Sequence, residues 1–328
     1  MRIMFQYYFV LYFSEKDYNK IVYSDFDNMP GVQIHHGFKP QNSILRKIHF
    51  LHNSEKINSR LCLPFKSLWF KNYLNKDAQQ INEKPLCFVF MFVWVYRKFI
   101  QEYILYLKKK YPNAKFVCYY TDIVSTLTHT PKEISHMFDL LVTYDKKDAQ
   151  QFNMLYFPTS FSDVNVESDS SIESCDVLFL GKAKDRLNKI YGVYRNLKNA
   201  NIKCNFFLVG VSQEERIKDD GLYYLDRPMN YYTYLQHVKK CRCILEIEQK
   251  GAIGETLRSW EAINFGKALL TDNPGIKESD FYNEQYISLI DDKGDIDKDY
   301  VKSYKEFDNP LKDKIRPIRL LEFIQKHL

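Results

Sequence analysis

Short apolar runs alternate with amphipathic stretches along this chain, and the alternation starts afresh midway. In the first half RIMFQYYFVLYF and CFVFMFVWVY read as strands. YRKFIQEYILYLKKKYPN has helical spacing and stops at Pro112-Asn113. KFVCYYTD and LLVTYD read as further strands, PKEISHMFD and DKKDAQQFNM as helices, and LYFPTSF closes the half. In the second half CDVLFLGK, KCNFFLVGV, RCILEIEQ, KALLTDNP and QYISLIDD read as strands. AKDRLNKIYGVYRNLKNAN, MNYYTYLQHVKKC, SWEAINFG and a final IRPIRLLEFIQKHL read as helices. Strand-helix-strand order gives mainly parallel sheets with helices on both faces. The expected fold class is therefore α/β: two tandem Rossmann-like doubly wound domains with a cleft between them.

A chain of 328 residues accommodates two domains of about 150 residues each. Residues 1–161 form the first and 175–312 the second. The polar, serine-rich SDVNVESDSSIES at 162–174 is the linker, and a helix at 313–328 is free to pack back on the first domain.

Composition excludes several classes. With 45% hydrophobic and 16% aromatic residues the chain can fill cores, so disorder is not its main state. Seven cysteines are scattered, most of them in apolar runs. Their closest pair, Cys241-Arg-Cys243, lacks zinc spacing, which suits reduced, buried thiols and a cytoplasmic setting. MRIMFQYYFVLYF lacks a small-residue cleavage site. The longest apolar run, Leu86 to Tyr96, has 11 residues, short of the roughly 20 that span a bilayer.

The net charge of +6 equals the charge of residues 41–76 alone, where Glu55 is the only acid beside Arg46, Lys47, Lys56, Arg60, Lys66, Lys71 and Lys76. ILRKIHFL and RLCLPFKSLWFKNYL interleave these cations with apolar groups. That suits peripheral contact with an anionic membrane, and equally a solvated helix pair with its aromatic side inward. No nucleic-acid-binding motif accompanies the charge, so nucleic acid is not an expected partner.

Two strand-to-helix passages could hold a ligand. In VLFLGKAKDR, Gly181 ends a strand, and Lys182, Lys184 and Arg186 crowd a helix start. Cations there oppose the helix dipole, whereas a bound phosphate would welcome them. In GAIGETLRSWEAINFGKALLTDNP, Gly254, Thr256, Arg258 and Glu261 open a helix. They could bind phosphate, or Thr256 could merely cap the helix while Arg258 pairs with neighbouring glutamates. For a general base the candidates are His36, in a glycine-flanked loop, and Asp122, following a strand. GxGxxG, GxxxxGK[ST] and HExxH are absent, and Asp25-Phe-Asp27 comes too early for a nucleotide-metal site. No metal or other cofactor is expected.

Together these features resemble GT-B glycosyltransferases, above all bacterial enzymes of capsule, exopolysaccharide and lipopolysaccharide assembly. The likeness rests on the Gly-x-x-x-Arg-x-x-Glu-Ala pattern followed by Gly-Lys-x-Leu-Leu-Thr. Here these are Gly254, Arg258, Glu261 and Ala262, then Gly266, Lys267, Leu269, Leu270 and Thr271. It covers Asp176 to about Asp291. The first half shares only the alternation and FDLLVTYDKKDAQQF.

The resemblance implies a metal-independent transferase. It would move sugar from a nucleotide-sugar donor to a surface polysaccharide or lipid-linked glycan acceptor, at the inner face of the plasma membrane. Gly181, Lys182, Arg186, Gly254, Thr256 and Arg258 would hold the diphosphate, and Glu261 the ribose. Ile253 stands where related retaining enzymes place a first glutamate, which leaves the stereochemistry open. A nucleotide-sugar epimerase or dehydrogenase, or an inactive binding protein, remains an alternative.

Overall fold

Each half of the chain builds one six-stranded, wholly parallel sheet. The computed structural model describes residues 5–40, 42–58, 60–61, 63–74, 84–91, 95–248, 256–291 and 294–328. The chain divides into two units. One comprises Met1–Asn19, Tyr23–Pro158 and Pro317–Leu328, the other Lys20–Val22 and Thr159–Arg316.

In the first unit the strands are β1 (Tyr8–Phe13), β2 (Val32–His36), β3 (Leu86–Phe90), β4 (Lys115–Tyr120), β5 (Leu140–Thr143) and β6 (Leu155–Tyr156), in the order β2-β1-β3-β4-β5-β6. The main helices are α1 (Ser43–His52), α2 (Lys98–Lys110) and α3 (Lys146–Phe152). β1 and β3 are buried throughout, as strands covered on both faces must be, hence their unbroken apolar runs. In α2, Phe99, Ile100, Tyr103, Ile104 and Leu107 turn inward at helical spacing, and three lysines close its last turn, where the helix dipole favours them. The core is aromatic: Tyr12 stacks on Phe90 at 4.8 Å and on Phe38 at 5.1 Å, and its hydroxyl meets that of Tyr103 at 2.7 Å.

The second unit holds β7 (Cys175–Lys182), β8 (Cys204–Val209), β9 (Leu222–Leu225), β10 (Cys241–Glu246), β11 (Ala268–Thr271) and β12 (Ile287–Leu289), ordered β12-β11-β10-β7-β8-β9. Its main helices are α4 (Leu187–Asn199), α5 (Tyr231–Lys240) and α6 (Leu257–Phe265). The last helix, α7 (Pro317–His327), belongs to the first unit, where Phe323 packs on Phe157 at 5.0 Å between ring centroids.

The structure departs from the sequence reading in four places. His35 and His36 lie at the end of strand β2, not in a loop. β9 is a further strand the pattern missed. PKEISHMFD forms two 3-10 turns, Pro131–Glu133 and Ser135–Met137, rather than one helix. The polar stretch 162–174 has no regular secondary structure, yet it is tied to the second unit. Lys239 Nζ donates to the Val166 carbonyl at 2.6 Å, and Ser162 and Val166 are buried. Of the run LCFVFMFVWVY, residues 92–94 lie outside the described residues.

Candidate functional site

In the second sheet β7 leads through α4 to β8 on one side, while β10 pairs with β7 on the other. The strand order therefore reverses between β7 and β10. In open parallel sheets such a reversal leaves a crevice beyond the strands' carboxyl ends, where ligands bind. Gly181 and Lys182 end β7, Ile247 and Glu248 follow β10, and α6 begins just beyond Thr256.

Two arginines converge there. Arg186 donates from Nη2 to the Lys182 carbonyl at 3.0 Å and from Nη1 to the Ile247 carbonyl, bridging the loops after β7 and β10. Arg258 reaches from the first turn of α6 to the Leu180 carbonyl. A Cβ on Gly181 would lie 3.3 Å from Nη2 of each arginine and 3.3 Å from Phe179 Cζ. Both guanidiniums also pack over the Phe179 ring, at 5.9 Å for Arg186 and 5.8 Å for Arg258. Glycine is thus what lets two like charges share this turn. Burial, and then the charge of Arg258, push the Arg186 guanidinium below its usual range. Gathering cations this way opposes folding unless an anion balances them.

Two buried polar atoms beside the pair have no hydrogen-bond partner among the described residues: Arg258 Nε, a donor, and Glu248 Oε1, an acceptor or, when protonated, a donor. Such atoms cost about 1–3 kcal/mol each, and each calls for an explanation. Burial, then Glu246 and Asp272, push the Glu248 carboxyl up to about 8, with Arg186 opposing. Asp272 is itself fixed. It accepts from the Glu248 backbone N–H at 2.7 Å and pairs with Lys189 Nζ at 2.7 Å.

The remaining residues of the Arg-Glu-Ala and Gly-Lys patterns are scaffold. Thr256 caps α6 by accepting from the Arg258 N–H at 3.2 Å, and its hydroxyl donates to Glu246. Thr271 donates to the other oxygen of Glu246 at 2.7 Å. Glu246 thereby joins the start of α6 to β10 and β11. The Thr256 hydroxyl is thus engaged in the cap. Glu261 is only 2% exposed and accepts from Tyr231 at 2.7 Å and Tyr234 at 2.6 Å. It locks α6 to α5, and burial raises its carboxyl above the ordinary range. The resemblance implies a carboxylate that faces a ribose; here both its oxygens accept from tyrosine hydroxyls. Glu261 does not pair with Arg258 on a solvated face, because α6 is buried from Ser259 to Asn264.

Gly266 ends α6 at φ +63°, and a Cβ there would collide with the Phe307 backbone. Lys267 is buried, donating to the Lys239 carbonyl at 3.0 Å and pairing with Glu306. Lys182 is exposed and contributes its backbone carbonyl to Arg186. Gly254 lies outside the described residues.

The base candidates stand on the first unit's carboxyl edge. Asp122 is exposed, two residues beyond β4, and His36 is half-buried at the end of β2, its ring 5.8 Å from Phe13. β1 and β3 separate their strands, which places them about 14 Å apart by strand spacing. They are thus alternatives and not a pair. His35 stacks on Tyr12 at 5.1 Å, and burial followed by the charge of His36 pushes its imidazole down to about 4. Glu248 escapes the sequence pattern because it, like Glu246, stands out of register with the first glutamate of related retaining enzymes.

No protein-family model matches the sequence, and no curated protein matches it. Solved structures do match. An alpha-glucosyltransferase in complex with UDP-glucose and DNA containing an abasic site superposes with a TM-score of 0.55 at 10% identity, covering 97% of this chain and 93% of that one. An alpha,alpha-trehalose-phosphate synthase (UDP-forming) from Burkholderia vietnamiensis gives 0.51 at 7% identity, covering 97% of each chain. The alpha,alpha-trehalose 6-phosphate synthase from Burkholderia multivorans gives 0.51 at 7% identity, covering 98% and 95%. Two tandem Rossmann-type units with wholly parallel sheets, matched along nearly the whole chain, give this protein the GT-B glycosyltransferase fold.

Proposed function

We propose that the protein is a glycosyltransferase that takes its sugar from a nucleoside-diphosphate donor, with the diphosphate held between Arg186 and Arg258. The observation that carries this reading is the pair of guanidiniums flanking Gly181 at the strand-order reversal. As the sugar's anomeric bond to the diphosphate breaks, negative charge grows on the leaving phosphate. Two preorganised cations in a partly desolvated crevice stabilise that charge. Gly181 lets a phosphate oxygen approach the backbone closely, and Arg258 Nε has a donor to give it. Protonated near neutrality, Glu248 can donate to a phosphate or sugar oxygen without adding charge. The arginines do this work without a metal in our reading. Glu261 holds the helix that carries Arg258, and so positions the site.

Support from the neighbours is consistent in chemistry: one is complexed with UDP-glucose and another is a UDP-forming synthase. The acceptor in our reading is a surface polysaccharide or a lipid-linked glycan, activated by Asp122 or His36.

The direct experiment is a panel of nucleotide sugars incubated with purified protein, with release of free sugar followed by NMR. One donor is expected to be hydrolysed slowly, and the first-formed anomer will give the stereochemistry. Absence of hydrolysis across the panel, together with tight NAD binding, would replace this reading with a nucleotide-sugar dehydrogenase or epimerase.

A further inference from the structure

The first unit has a surface that folding does not account for. Among the described residues, Ile44, Leu45, Ile48, Phe50, Leu51, Leu61, Phe65 and Leu68 are all exposed large hydrophobics, leaving only four others elsewhere. Single exposed apolar residues are ordinary, but such concentration in one segment marks an interaction site. Asn42 caps α1 through the Ile44 and Leu45 N–H groups at 3.0 and 3.2 Å, so the helix that presents them is anchored. Ile44, Ile48 and Leu51 share one stripe of α1. His52 joins that helix to the turn beyond: its Nε2 meets the Pro64 carbonyl at 2.8 Å and its Nδ1 accepts from Trp69 Nε1 at 2.7 Å. Phe65, 72% exposed, sits at φ +63°. Such a backbone is strained for a bulky residue, so this ring is turned outward against both solvation and conformational preference.

Charge is interleaved with this apolar surface. Between Asn42 and Leu74 there are six lysines and arginines and a single acid, Glu55. Arg46, Lys47, Lys56, Arg60 and Lys71 are exposed. Beside α1 lies a pocket of about 940 Å³, lined by Arg46, Lys47, Lys56 and Arg97 over Phe50 and Phe99. Protein-protein interfaces are depleted in lysine, and nucleic-acid grooves do not call for a stripe of Ile and Leu. Aliphatic and aromatic tips set among cations match the boundary of an anionic bilayer, where tips enter the acyl layer and cations meet phosphates.

We infer that α1 and the turn at 65–71 dock the protein on an anionic lipid surface, with Phe50, Phe65 and Leu68 inserted and Lys47 and Lys71 against the headgroups. This assignment rests on the first unit alone and stands whether or not the donor reading holds. Not every cation and aromatic ring of the segment takes part. Lys66 is 6% exposed and Trp69 is turned onto His49 and His52, so neither belongs to the docking face.

The test is vesicle flotation with phosphatidylcholine alone and with added phosphatidylglycerol, at low and high salt. Wild type is expected to float with the anionic vesicles, and less so at high salt. Phe65→Ser with Leu68→Ser should reduce partitioning at least about tenfold, and Lys47→Glu with Lys71→Glu should abolish its preference for anionic vesicles. Circular dichroism and nucleotide binding should stay at wild-type values. The inference is overturned if wild type ignores both vesicle types or the apolar variant floats like wild type. It is equally overturned if the patch instead mediates a dimer that Phe65→Ser dissociates, or retains duplex DNA in place of lipid.

Discussion

The carboxyl edges of the two sheets share one architecture and differ in chemistry. In the second unit the loops after β7 and β10 bring Arg186, Arg258 and Glu248 together around a glycine, with two buried polar atoms unsatisfied among the described residues. In the first unit the corresponding edge carries Asp122, His36 and an internally matched pair, Glu15 with Lys39. A parallel sheet supplies the crevice, but side chains decide what enters it. In the proposed function the second edge, where cations gather around a glycine, takes the diphosphate, and the first edge takes the acceptor and supplies the base.

The sharpest way to break this contrast is Arg258→Ala. Losing a charge-assisted contact to phosphate of about 2–3 kcal/mol is expected to weaken nucleoside-diphosphate binding roughly 100-fold, measured by calorimetry, with the fold intact. Gly181→Ala should weaken binding about tenfold, because the added methyl must push both guanidiniums from a 3.3 Å approach while leaving their charges in place.

Glu248 gives a smaller effect on stability. Its carboxyl titrates at about 8 in the folded protein against an ordinary 4.5. Between those pH values the folded state keeps a proton that the unfolded chain has lost, so stability falls as pH rises through this window. Glu248→Gln should therefore be more stable than wild type near pH 8, by about 1 kcal/mol after allowing for solvent screening of a part-buried group. It should show no advantage near pH 4. Chemical denaturation at the two pH values checks this, and a variant less stable than wild type near pH 8 would show that Glu248 is charged and favourably paired.

The smallest expected effects lie on the other edge. His36→Ala and Asp122→Asn should each change nucleoside-diphosphate affinity less than about twofold. One of them should still slow sugar transfer. A large loss of nucleotide affinity in either would mean that the first edge also holds the diphosphate.

Much of this fold is legible in the sequence, because strands buried on both faces must be apolar throughout. β1, β3, β4, β7, β8 and β10 announce themselves in that way. β2 and β9 do not, since both are sheet-edge strands with largely half-buried residues and lack a long run or a clean alternation. Arg186 stands out in the sequence because cations at a helix start conflict with its dipole; its convergence with Arg258 on Gly181 appears only in the fold. Glu261, Thr256 and Lys267 show how little polarity alone says about surroundings. Each engages a partner on another segment: Tyr231 and Tyr234 for Glu261, Glu246 for Thr256, and Glu306 for Lys267. A polar residue's role depends on partners that only the fold brings near, and the same holds for Phe65, whose outward ring no periodicity foretells.

The claim that the paired arginines form a diphosphate cradle is tested most directly by a phosphate series. Calorimetric titration would compare a nucleoside with its mono- and diphosphate, for each common base, on wild type and on Arg186→Ala with Arg258→Ala. The account predicts that for one base affinity rises with each phosphate in the wild type, and that the double variant binds the diphosphate no better than the nucleoside. Equal affinity for nucleoside and diphosphate in the wild type, or an undiminished phosphate preference in the double variant, would contradict it.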